Sequence, residues 1–156
     1  MWFFRFFMLL ALIVWIGGIV FFAFVEAPTL FQLLSPHLAG DVVNRSLSSL
    51  HWIGIASAGI FLVCSLLYDR VRYARFRLFT LINVLVAGML AFTLLSQFAI
   101  SPKIGALRTE LSRTGQPVVT EDFNRWHRRS EQAEGCVLVL GLGVVVLTAR
   151  RFGESN

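Results

Sequence analysis

The stretch LSSLHWIGIASAGIFLVCSLLY, residues 47–68, decides the fold. It holds no Asp, Glu, Lys or Arg and is long enough to cross a hydrocarbon core of roughly 30 Å at about 1.5 Å per residue. Its hydrophobicity runs all round instead of forming a stripe, the pattern of a helix surrounded by apolar groups. One ionisable side chain, His51, stands near its start, and Gly54 and Ala58 share its helical face. Small residues mark close helix contact in membranes, so that face is expected to point at neighbouring helices.

Working outward, three more apolar segments appear at 6–25, 78–100 and 133–149, the last short and carrying Glu134 near its start. Over the 156 residues 56% are hydrophobic and 15% charged, with a mean hydropathy of +0.72. A soluble domain has apolar residues near one half and charges near one quarter. Lipid obliges each span to satisfy its own backbone, which selects helices and excludes isolated strands. The expectation is an all-α fold, an integral membrane four-helix antiparallel bundle forming one domain over residues 1–156. The first span reads as a retained anchor: it is longer than a leader's apolar region and lacks a small-x-small cleavage site.

Four spans put the N-terminus, the loop between the second and third spans and the C-terminus on one side. That side holds Arg5, Arg70, Arg72, Arg75, Arg77, Arg150 and Arg151. The other holds Arg45, Lys103, Arg108, Arg113, Arg125, Arg128 and Arg129. The totals are equal, so density near the membrane decides. The short four-arginine loop from Arg70 to Arg77 predicts that both termini are cytoplasmic. The net charge of +5 and pI near 10.2 fit contact with anionic headgroups of the lipid bilayer. They do not indicate nucleic acid, because the basic residues are split between two faces. A homo-oligomer or a membrane-complex partner stays open. Cys64 and Cys136 fall at depths differing by roughly 14 Å, too far apart for a disulfide.

Chain breaks are expected at Ala27-Pro28, which would end the first helix, and within 30–46, where Ser35-Pro36-His37 and Ala39-Gly40-Asp41 occur. Ser101-Pro102 and Gly115-Gln116-Pro117 punctuate the longest polar stretch. Thr120, followed by Glu121 and Asp122, predicts a helix start that runs continuously through Glu134. Trp126 on that helix suits a membrane interface.

The candidate site follows from depth. Glu26, His51, Gln97 and Glu134 all map to the same end of the bundle, one from each span, and Ser130 lies on the face of Glu134. An ionisable group in hydrocarbon is costly unless paired or wetted, so it marks a candidate site. Imidazole and carboxylate suit zinc, copper(II) or iron, which makes His51, His127, Glu26 and Glu134 the candidate metal ligands. Glu131 is expected to be exposed, and Asn83 to hydrogen-bond between helices. No nucleophile-base pair or cofactor loop is evident, so an enzyme is disfavoured.

Trp15-Ile-Gly-Gly-Ile-Val-Phe-Phe, Glu26-Ala-Pro-Thr-Leu-Phe, Ala39-Gly40, Ser101-Pro-Lys-Ile and the segment 123–134 with His127 and Ser130 together resemble the transmembrane-protein-205-like family. Its bacterial members carry a domain of unknown function. The resemblance spans about residues 8–148 and implies a small four-helix protein of a bacterial inner membrane, with no reaction attached. The chain is also distantly similar to the copper-resistance D and membrane protoporphyrinogen-oxidase group, which uses histidines for metal or haem. The first span carries no histidine, which disfavours haem. Three functions remain open: metal binding, proton-coupled solute handling through Glu134 and His51, and a structural subunit or assembly factor. The first two require a hydrated cleft at the polar end; the third requires a closed ring of mutual hydrogen bonds.

Overall fold

The computed structural model describes residues 1–114 and 120–153. Every described element is a helix, and four are long and apolar enough to cross a membrane. They are α1 (Trp2–Leu33), α2 (Pro36–Tyr73), α3 (Leu81–Leu95, continuing through Ser96–Ile100 and Ser101–Thr114) and α4 (Glu121–Gly153). α1 packs chiefly on α2 and α3 on α4, while α2–α3 and α1–α4 contacts close the ring. The fold is the all-α membrane bundle read from the sequence.

Local chemistry sets the helix ends. The α1–α2 connection is Leu34 in an extended conformation and Ser35, with Pro36 opening α2 at a position where its missing N–H costs nothing. α2 ends on Ala74 at φ 54°, a left-handed cap, with Arg70 and Arg72 in the last turn beside the exposed carbonyls. Thr80 caps α3 by accepting from the Asn83 N–H at 3.3 Å. Thr120 caps α4 by accepting from the Phe123 N–H at 3.3 Å, with Glu121 and Asp122 in the first turn. α4 then runs unbroken past Glu134, as its sequence predicts.

Three expected breaks are corrected. α1 does not end at Ala27-Pro28; a wide π turn over Phe22–Glu26, in which the Ala27 N–H donates to the Phe22 carbonyl, carries the helix through to Leu33. The same device recurs at Ser96–Ile100, before Ser101-Pro102, where the Ser101 N–H donates to the Ser96 carbonyl. In both places the helix absorbs the proline by widening one turn instead of stopping. Ala39-Gly40-Asp41 lies inside α2, where Gly40 leaves room for the Arg108 guanidinium, which pairs with Asp41 at 3.3 Å. The break expected at Gly115-Gln116-Pro117 lies outside the described residues.

The core is apolar and central. Trp15, Phe61, Val86, Met89, Val137 and Val144 are buried there. The indole of Trp15 lies directly on the Gly54 backbone, where a side chain would collide with it. Gly141 plays the same part against Ile16 and Met89. Most other large apolar side chains face outward, as lipid-facing helices require.

Candidate functional site

His51 is 1% exposed and bridges the bundle diagonally from α2 to α4. Its Nε2 lies 2.7 Å from Glu134 Oε1, and its Nδ1 lies 2.8 Å from Gln97 Oε1 on α3. Gln97 Nε2 donates in turn to Ser48 Oγ at 3.0 Å, one turn before His51 on α2. Gln97 sits in the π turn of α3, so the widened turn that accommodates Pro102 also carries the amide that orients the imidazole.

The proton count of this chain of contacts follows from its atoms. An amide oxygen only accepts, so His51 Nδ1 donates to Gln97. The His51–Glu134 contact then holds one proton, carried either by an imidazolium facing a carboxylate or by a neutral carboxyl facing a neutral imidazole. Either form satisfies all the atoms named. Removing that proton leaves Nε2 facing a carboxylate, two acceptors at hydrogen-bond distance.

Of the other expected site residues, Ser130 is buried one turn before Glu134. Glu26 stands apart: it lines a groove of about 390 Å³ between α1 and α2 together with Arg45 and Ser49. Two regular turns separate Glu26 from buried Ile19, which would aim it at the core, but the intervening π turn slips the helical phase. His127 also stands apart, exposed, 3.3 Å from Glu131 Oε1 and stacked on Phe123. The metal set of His51, His127, Glu26 and Glu134 is therefore not assembled. Among the described residues no group of three or more His, Cys, Asp or Glu side chains could hold a metal ion. Both cysteines are free thiols.

A second polar cluster, of which the sequence predicts only the interhelical hydrogen bond of Asn83, lies at the opposite end of the same helices. Asp69 on α2 is fully buried and accepts from Arg151 on α4. Arg151 also donates to Ser65 Oγ at 3.3 Å and lies 4.7 Å over the Tyr68 ring. Ser65 donates to Asn83 Oδ1 at 2.8 Å, and Asn83 Nδ2 donates to the carbonyls of Arg77 at 3.1 Å and Leu78 at 3.3 Å. Arg5 joins from α1, donating to Tyr68 Oη at 3.2 Å. The available signal was spacing: Asp69 follows His51, and Arg151 follows Glu134, by nearly the same interval on two parallel helices. At helical rise the two pairs are about 26 Å apart, close to the ~30 Å hydrocarbon thickness. They therefore lie near its two edges.

The sequence model of a family described as a domain of unknown function, DUF4149, matches residues 10–113. The chain belongs to that family. No match was obtained to a curated protein or to a solved structure. The DUF4149 segment takes in Ser48, His51, Asp69, Asn83 and Gln97, together with both proline-linked π turns, whereas Glu134 and Arg151 lie beyond it on α4.

Proposed function

We propose that this membrane protein is a structural subunit or assembly factor of a membrane complex, with residues 1–156 acting as one domain and the buried polar contacts setting helix register. The observation that carries the reading is the hydrogen-bonded chain Ser48–Gln97–His51–Glu134, which ties α2, α3 and α4 together: both imidazole nitrogens are engaged by protein partners. A metal would have to displace one of them. The diagonal α2–α4 contact is fastened at both ends, by His51–Glu134 and by Asp69–Arg151. A one-turn slip of α4 moves both partners by about 5.4 Å and breaks both fastenings together. The outward apolar side chains, Trp52, Val63 and Val146 among them, are left for lipid or a partner's helices. The reading places the protein in a bacterial inner membrane with both termini cytoplasmic, and keeps the transmembrane-protein-205-like kinship as its family context.

A second reading is proton exchange. It is supported by the His51–Glu134 contact, which holds one proton, and by the 16% exposure of Glu134. Reconstitution into vesicles holding a pH-sensitive dye separates the two. The structural reading expects the same proton leak for the native chain and for His51→Leu/Glu134→Leu, with oligomeric state unchanged. A proton flux that disappears in the double variant would replace it with the second reading.

A further inference from the structure

We propose that the α3–α4 face binds one anionic glycerophospholipid, with an acyl chain in an apolar groove and the phosphate on arginines at its mouth. The groove encloses about 1030 Å³, at the upper end of the roughly 300–1,000 Å³ typical of ligand clefts. Its walls are Phe92 and Leu95 from α3 and Val139 and Leu140 from α4, and its α4 floor is kept low by Gly135 and Cys136. From Arg129 to Val139 it runs about 15 Å along α4, from cationic residues outside the level of Glu134 to apolar ones inside it.

The mouth supplies the charge. Arg129 and Gln132 border both this groove and a polar hollow of about 460 Å³ that also takes in Arg125 and Arg128. Trp126 lies between Lys103, 4.3 Å from its ring centroid, and the Arg129 guanidinium at 4.7 Å, which holds both cations at the rim. Arg125 is engaged by Asp122 at 3.6 Å. Against Glu121, the one acid bordering the hollow, Arg128, Arg129 and Lys103 leave an excess of positive charge. An apolar slot that opens on this excess matches a lipid of net negative headgroup, since guanidinium groups bind phosphate oxygens in pairs. A zwitterionic lipid brings its own cation to the same place.

The full-length chain, delipidated in detergent and titrated with phosphatidylglycerol or phosphatidylcholine, is read by native mass spectrometry. One phosphatidylglycerol is expected to be retained preferentially. Arg129→Gln, which keeps a polar side chain but removes the charge, should weaken that retention roughly tenfold, one charge-assisted hydrogen bond's worth. Gly135→Leu tests the slot independently. A side chain there meets open space, so the fold survives while the acyl chain is excluded. It should abolish retention of phosphatidylglycerol. Equal retention of the two lipids, retention unchanged in either variant, protection by inorganic phosphate alone equal to that by the lipid, or a dimer that Gly135→Leu dissociates would each overturn the proposal.

Discussion

Replacing Glu134 by leucine tests the His51 hydrogen-bond chain directly. The substitution leaves His51 Nε2 without its partner at a site 1% exposed, while Nδ1 stays on Gln97. An orphaned buried polar group costs about 1–3 kcal/mol, and removing one member of a buried ion pair about 3–5 kcal/mol. Glu134 keeps 16% exposure, which softens the charged limit, so the loss should fall near 2–4 kcal/mol. For a chain of this length each kcal/mol corresponds to roughly 2–4 °C, giving a Tm drop of about 4–16 °C. The control is Glu131→Leu. Glu131 is 66% exposed and pairs only across a helix turn with half-exposed His127, a geometry worth about 0–1 kcal/mol. The assay is thermal unfolding in detergent, followed by circular dichroism and tryptophan emission. His51→Leu/Glu134→Leu should recover at least half of the single variant's loss, since replacing a whole buried pair by apolar groups is close to neutral. An unchanged Tm in Glu134→Leu, or a double variant as unstable as the sum of the two singles, refutes the His51–Glu134 pair as a register device.

Other outcomes follow from the same structure. Arg151→Ala strands the fully buried Asp69 and should cost about 3–5 kcal/mol, with Asp69→Asn in the same chain restoring part of it; equal melting of Arg151→Ala and the native chain counts against the second clamp. Gly54→Val drives a branched side chain into the Trp15 indole and should destabilise by about 1–3 kcal/mol, whereas Gly59→Ala, where a Cβ meets nothing, should not; denaturant midpoints compare them. Cysteine labelling from outside intact cells should reach an introduced Asn124→Cys and miss Arg75→Cys, and the reverse pattern would invert the proposed orientation.

The sequence by itself determined the fold class and the depth of the polar residues. Long uninterrupted apolar runs admit one backbone solution in lipid, and helical rise turns residue number into depth, so His51 and Glu134 fall at one level before any contact is known. Thr120 with its acids likewise marked the start of α4, because a cap is a local interaction. Tertiary structure decided what depth cannot. Depth alone did not show that Glu26, at the level of His51, is turned aside by a π turn, or that His127, about two turns further out on α4 than Glu134, pairs with Glu131 instead. The prolines at 28 and 102 read as breaks because proline removes a local hydrogen bond, but in the fold the helix continues through each by way of a single widened turn. The Asp69–Arg151 pair stayed hidden for a related reason: a charged residue at a span's edge is sequence-identical to a solvated one until a partner from a distant helix closes over it.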